Sequence, residues 1–360
     1  MNKDIDIVIT YVTDTDDNWI KDYNYYKNIE IESGIQKKSN RQAFGKERSR
    51  DWEFLPYWFR SVEKNCPWVR YIWFVCQRES QVPKWLNKDN PKLRIIYHNQ
   101  FIPQEFLPTF NPMIIKSFLF NITDLADNFI ESSDDMFFVG NIPQDMFFIN
   151  NRPVDKFIIH DFKHKEPENT AFDSIIINKN NFLHNIYNKD YKYYFHHLPL
   201  ARNKQFEKNF YLKYKDVIDK SLIISKFRHP KNLIWHMYTD AMKFEGITIN
   251  KDIFVNSIWL NLKGNTINIK LLNNKDIIVI NDTEFITDFD NIKTTVLHWF
   301  QTKFSNMSSF EMYDCCKKNL MIKSTANNKS ENKAKLPESK SKKLEIAIGL
   351  SEEWWKDNNF

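Results

Sequence analysis

Glycine is scarce, with six in 360 residues, in a chain crowded with Asn, Lys and Ile. That bias reads as the nucleotide composition of the source genome rather than as a structural device. Cysteine is rarer still. The four present, Cys66, Cys76, Cys315 and Cys316, show neither zinc-ligand spacing nor a disulfide framework, so they read as reduced thiols used as small apolar side chains. No stretch nears the roughly 18 consecutive apolar residues of a membrane span, and the opening MNKDIDIVIT has too short an apolar run for a secretory signal. A cytoplasmic chain is expected. Charge of one sign is also lacking: 51 basic side chains face 46 acidic ones, a net +5 spread along the chain. Nucleic acid is therefore not an implied partner, whereas anionic small molecules or a membrane surface are compatible.

What is present is a core. At 42% hydrophobic and 16% aromatic, the chain can bury one large or two smaller domains. DIDIVITYVT alternates and is rich in Ile, Val and Thr, predicting a buried first strand that ends in the acidic polar loop DTDDNW. From Glu53, Phe54, Leu55, Trp58, Phe59 and Val62 recur at helical spacing, with Pro56 placed for a first turn. VRYIWFVC and KLRIIYH predict the next two strands. Asn111 and Pro112 form a helix start, followed by a stripe of Ile114, Ile115, Phe118, Leu119, Ile122 and Leu125. NFIESS then predicts a fourth strand. Successive strand-then-helix steps predict an α/β fold with a mostly parallel sheet and helices on both faces.

Beyond Pro143 the pattern loosens into aromatic, His- and Asn-rich segments, with helices expected around 203–220 and 231–244. KDIIVINDT returns as a strand ending in Asn281 and Asp282, and a last helix is expected over 291–303. After Cys316 the composition turns polar and charged, as in a disordered linker, before a short tail, LEIAIGLSEEWWKDNNF. This organisation divides the chain into an α/β core over 1–150, a helical, aromatic-rich cap over 151–270 and a returning strand and helix over 271–318. A linker over 319–343 and a tail over 344–360 complete it. There is no internal repeat.

The stretch IESSDDMFF sets two carboxylates, Asp134 and Asp135, where one apolar run stops and another starts. Adjacent ionised carboxylates repel and lose hydration on burial, so in a cleft they need a cation, a proton or hydrogen-bond donors. A divalent cation, magnesium or manganese, is the simplest answer, since hard cations take one or two carboxylates and leave positions for phosphate oxygens. Paired Asp residues are also common in solvated turns, but the apolar residues on both sides argue against a free turn.

These segments together resemble a known family. DIDIVITYVTDTDDNW resembles the first characteristic region of the Stealth proteins, sugar-1-phosphate transferases of bacterial capsule synthesis that are similar to the animal lysosomal-enzyme N-acetylglucosamine phosphotransferase. RSRDWEFLPYWFRSVEKNCPWVRYIWFV, PKWLNKDNPKLRIIYHNQFIP, LPTF and SSDDMFF look like its second region. HHLPLAR and SKFRHPKNLIWHMY look like the third, and INDT with FSNMSSFE looks like the fourth.

The resemblance implies a nucleotide-sugar-transferase core and transfer of hexose-1-phosphate from a nucleotide diphosphate sugar, usually a UDP-sugar, to a hydroxyl of an oligo- or polysaccharide acceptor. It implies Asp135, His197 and Arg228 as catalytic residues. Thr10, Asp14, Asp16, Arg48, Arg50, Asp51, Asn111 and Asp134 are implied donor contacts, and Asp134, Asp135 and Asp282 metal ligands. Imidazole suits a general base near neutral pH, and guanidinium suits a phosphate. His196 is the expected bystander. Peripheral association with the membrane or with capsule-assembly proteins is compatible with this role. Thr13, Ser133, Lys116 and Pro112 depart from the family pattern, which usually has Trp-Val-Asp-Gly, Asn-Asp-Asp, Glu and Ser there. An ordinary glycosyltransferase releasing the nucleoside diphosphate, and a non-catalytic glycan-binding relative, remain as alternatives.

Overall fold

The computed structural model of the chain describes residues 4–157, 159–160, 171–189, 192–193, 196–253 and 255–312. Cys315, Cys316 and the expected linker and tail lie outside the described residues. The first strand, β1 (Ile5–Thr10), leads to α1 (Asp17–Glu32), α2 (Arg41–Phe44) and α3 (Leu55–Asn65). Strands β2 (Ile72–Cys76) and β3 (Leu93–Tyr97) follow, then α4 (Pro112–Ser117), β4 (Asn128–Ser133) and β5 (Met136–Phe138). Short strands β6 (Phe148–Ile149), β7 (Arg152–Asp155) and β8 (Ile159–His160) precede α5 (Ala171–Tyr187), β9 (Lys192–Tyr193) and β10 (Leu200–Asn203). Helices α6 (Lys204–Leu222) and α7 (His236–Phe244) come next. The described chain ends with β11 (Ile249–Asn250), β12 (Ser257–Asn261), β13 (Ile277–Asn281) and α8 (Phe289–Lys303).

The central sheet has the order β10-β4-β1-β2-β3. Three pairings place β4, β1, β2 and β3 parallel, and β10 adds an antiparallel edge on β4. Strand periodicity splits the core between the two faces. Ile5, Ile7, Ile9, Ile72, Phe74 and Ile130 pack toward α3 and α8, while Val8, Trp73, Val75 and Phe129 pack toward α4, α6 and α7. Helices therefore cover both faces of a mostly parallel sheet, as the sequence pattern predicts. Trp58 and Phe59 of α3 are fully buried, each worth about 1.5–3 kcal/mol of transfer free energy. A charge is buried at the foot of β1 as well. Asp6 accepts from Arg70 at 2.7 and 2.9 Å, from Trp73 Nε1 at 2.9 Å and from the Ala126 amide at 2.9 Å, which satisfies the carboxylate and clamps the start of three strands.

A second sheet, β12-β13-β5, stands beside the first, with β13 parallel to β12 and antiparallel to β5. A small sheet of order β11-β7-β6 and the pair β8-β9 complete the strands. The returning strand expected near Ile280 thus joins the second sheet, not the central one. Three further differences are local. DTDDNW is half loop and half helix start, because Asp16 caps α1 by accepting from the Asn18 amide. α1 buries few side chains, so its sequence shows no clear apolar stripe. α4 stops at Ser117, and Phe118, Leu119, Ile122 and Leu125 are buried from a 3-10 turn and loop. No α-helix separates β2 from β3, only the turn Glu79–Gln81. Among the described residues, no helix is long and apolar enough to cross a membrane.

Candidate active site

The carboxyl ends of parallel strands are where α/β folds assemble ligand sites. Here they open into a cleft of about 280 Å³ lined by Thr10, Arg48, Arg50, Asp51, Asp134, Asp135, His197, Arg228 and Asp282. Asp134 and Asp135 form the two-residue turn between β4 and β5, at the point where the chain leaves the central sheet for the second one. The Ile280 amide of β13 donates to the Asp135 carbonyl at 2.9 Å and pins this turn. Apolar runs flank the doublet because each belongs to a different sheet.

His197 arrives from the segment before β10, and its Nε2 lies 2.9 Å from Asp135 Oδ2. The other oxygen, Asp135 Oδ1, is buried without a hydrogen-bond partner among the described residues. Burial, and next the charge of Asp135, push the Asp134 carboxyl up to about 7. His196 turns the other way: its Nε2 meets Asp155 Oδ1 at 2.8 Å, and Lys243 donates to Asp155 at 2.8 Å and to Asp240 at 3.2 Å. Lys179 pairs with Asp240 in the same buried chain. Burial alone would raise Asp155, but Lys243 and His196 hold its carboxyl well below the usual range. This network anchors the residue next to His197 to β7, α5 and α7.

The same cleft is also lined by the cations Arg48, Arg50 and Arg228. Arg228 presents a buried Nε without a hydrogen-bond partner among the described residues, and burial, reinforced by Arg48, pushes its guanidinium down to about 9. An unsatisfied buried donor on a cation is costly, and an anionic ligand is the group that would satisfy it. Arg50 is differently placed. It pairs through two nitrogens with Asp282, which also accepts from Trp52 Nε1 at 3.0 Å. Asp282 is thus engaged by neighbours across the cleft mouth.

Asp14, Asp16 and Asn111 do not line the cleft. The Asp14 amide donates to Ser49 at 3.0 Å, and Asp16 accepts from Ser80 Oγ at 2.8 Å besides capping α1. Asn111 is wholly buried, caps α4 through the Met113 amide, and donates to the Phe227 carbonyl at 2.8 Å and to Asn232 at 2.9 Å. Its role there is to hold the Arg228 segment against α4.

Two residues that depart from the family pattern prove to be in contact. Lys116 Nζ donates to Ser133 Oγ at 2.8 Å and to Glu131 Oε1 at 2.6 Å, just below the carboxylate turn. Glu131 faces Arg202 at 3.4 Å, and Arg202 pairs with Glu207 at 2.7 Å. All five are buried. The lysine thus supplies the donor that Ser133 accepts. Gln77 and His98 also line the cleft without having been singled out from the sequence. Their positions, one residue past the ends of β2 and β3, are the only signal that could have marked them.

The donor set bears on a metal. Asp134 and Asp135, with one orphaned carboxylate oxygen between them, suit a hard divalent cation that takes one or two carboxylates and completes its shell with phosphate and water. Asp282 does not fit that set, since Arg50 and Trp52 occupy its oxygens. No group of three or more His, Cys, Asp or Glu side chains able to hold a metal occurs among the described residues.

Comparison with known proteins bears on the family to which the chain belongs. The family model described as Stealth protein CR2, conserved region 2, matches residues 48–156, a span that includes Arg48, Arg50, Asp51, Lys116 and the carboxylate turn. Two capsular polysaccharide phosphotransferases WcwK of Streptococcus pneumoniae are 30% and 32% identical over 348 residues, covering 85% of this chain and 98% of each relative. Capsular polysaccharide phosphotransferase LcbA of Aeromonas hydrophila is 37% identical over 139 residues, 39% of this chain and 37% of the relative. With the likeness to WcwK running almost end to end and the second conserved region framing the cleft, the chain belongs to the Stealth family of phosphotransferases.

Proposed function

We propose that the protein transfers hexose-1-phosphate from a UDP-sugar to a hydroxyl of a growing glycan in capsular or surface polysaccharide synthesis, releasing UMP. The observation that carries this reading is the pairing of His197 with Asp135 in the same cleft as Arg228, whose buried Nε has no hydrogen-bond partner among the described residues. The acceptor oxygen attacks the phosphorus next to the sugar, and the bond from that phosphorus to the bridging oxygen of UMP breaks. The sugar–oxygen bond stays intact, so anomeric configuration is kept. The acceptor proton passes to His197, and the Asp135 carboxylate beside the imidazole stabilises the resulting imidazolium. Arg228 stabilises the charge on the transferring phosphoryl oxygens, as phosphoryl transfer requires of its surroundings. Magnesium or manganese would be held by Asp134 and Asp135 and would neutralise diphosphate charge. Arg50, paired with Asp282, orients the mouth of the cleft rather than the reacting phosphate.

The test is product analysis. The protein, a UDP-sugar panel, a glycan acceptor and magnesium should yield UMP and a phosphodiester visible by phosphorus NMR. UDP as the sole nucleotide product would replace this reading with ordinary glycosyl transfer. Binding of both substrates without turnover would replace it with a non-catalytic role. Fractionation of cells would locate the protein in the cytoplasm or at the inner face of the membrane.

A further inference from the structure

We propose that Gln77 and His98 form the subsite for the donor's nucleobase and read the adjoining N–H and C=O groups of a uracil edge. This rests on the nucleotide-sugar reading above and adds to it the residues that choose the base. Cys76 of β2 and Tyr97 of β3 are register partners, so Gln77 and His98 leave two neighbouring parallel strands side by side at their carboxyl ends. Both line the cleft. His98 is only 5% exposed, and its Nδ1 and the Gln77 Oε1 are buried polar atoms with no hydrogen-bond partner among the described residues. Native structures leave few such atoms unmatched, and two together beside a cleft mark where a ligand supplies the partners.

The chemistry of the pair selects a base and not a phosphate. Burial, with Arg78 adding to it, pushes the His98 imidazole down to about 3, so the ring is neutral with one donor and one acceptor. Gln77 is a carboxamide. Its oxygen accepts from a ring N–H while its NH2 donates to the adjoining carbonyl, and uracil offers that pair on either side of N3. The position also suits the donor's length. Between β4, which carries the carboxylate turn, and the β2 and β3 ends lie two to three strand spacings, about 10–14 Å, a span for a ribose and two phosphates to fill. Asp16 and Thr13 hold the loop after β2 through Ser80 at 2.8 Å and Gln81 at 3.5 Å. That tie sets the first turn of α1 against the loop, and Trp19 gives the base an aromatic wall.

Isothermal titration of the full-length protein with UDP, CDP, ADP, GDP and inorganic pyrophosphate, each with magnesium, tests the assignment. UDP should bind best. Gln77→Leu and His98→Asn should each weaken UDP about tenfold or more and flatten the preference among nucleotides, with pyrophosphate affinity unchanged. Gln77→Glu, similar in shape but without the NH2 donor, should do the same and keeps the test open should the His98 variant fail to fold. Folded variants that bind UDP with wild-type affinity and preference overturn the subsite while leaving the proposed transfer standing. A wild-type protein with no preference among the bases, or with a preference for a purine, overturns it too. If the wild type binds no nucleotide and releases no UMP, the transferase reading falls as well.

Discussion

Asp134→Asn should make the protein more stable as it removes activity, and the gain should grow with pH. In the folded chain the Asp134 carboxyl is raised from 3.8 to about 7 by burial and by Asp135. A raised carboxyl stabilises the fold while it holds its proton, so its contribution is full below about pH 4 and is lost as pH climbs to about 7. Between about pH 5 and pH 7 the unfolded chain has released this proton and the folded chain has not, which costs about 1.4 kcal/mol per pH unit, or about 2.7 kcal/mol over the interval. The side chain borders an open cleft, so screening reduces this to about 2 kcal/mol. Asparagine cannot ionise and escapes the loss. In chelator, the variant should therefore gain about 3 °C in melting temperature over the wild type on going from about pH 5 to about pH 7.5. Magnesium should raise the wild-type melting temperature and leave the variant's almost unchanged. A difference between the two proteins that is the same at both pH values would refute the buried, charge-coupled doublet.

His197→Ala should lower kcat by about 10²-fold or more with the fold intact, and near-normal turnover would remove the imidazole from the reaction. Arg228→Gln should cost about 10²-fold in kcat/KM, while urea unfolding should find the ligand-free variant at least as stable as the wild type, because a buried charged donor, unpartnered among the described residues, is gone. Lys116→Met leaves Glu131 facing only Arg202 at 3.4 Å and should destabilise the fold by about 3 kcal/mol, with partial recovery in Lys116→Met/Glu131→Gln. Equal urea midpoints for the single variant and the wild type would show that this network carries no stability. Asp282→Asn should weaken the Arg50 contact and raise KM more than it lowers kcat, and the reverse pattern in steady-state kinetics would place Asp282 in the chemical step.

Local physics was readable in the chain itself. Apolar runs, alternating only in the first, wrote β1, β2 and β4, and Asn111-Pro112 wrote the start of α4, because strand patterning and capping act over a few residues. The break between two apolar runs likewise marked Asp134 and Asp135 as the end of a strand. What the chain could not reveal was pairing at a distance. His197 meets Asp135 across 62 positions and Arg50 meets Asp282 across 232, contacts that exist only once β10 has joined β4 and β13 has joined β5. Tertiary structure alone decided that Asp282 is held by an arginine, that Lys116 and Ser133 touch, and that Gln77 and His98 stand side by side at the carboxyl ends of β2 and β3. Each of these depends on which strands become neighbours, and that is settled by the packing of the whole core rather than by any short stretch of residues.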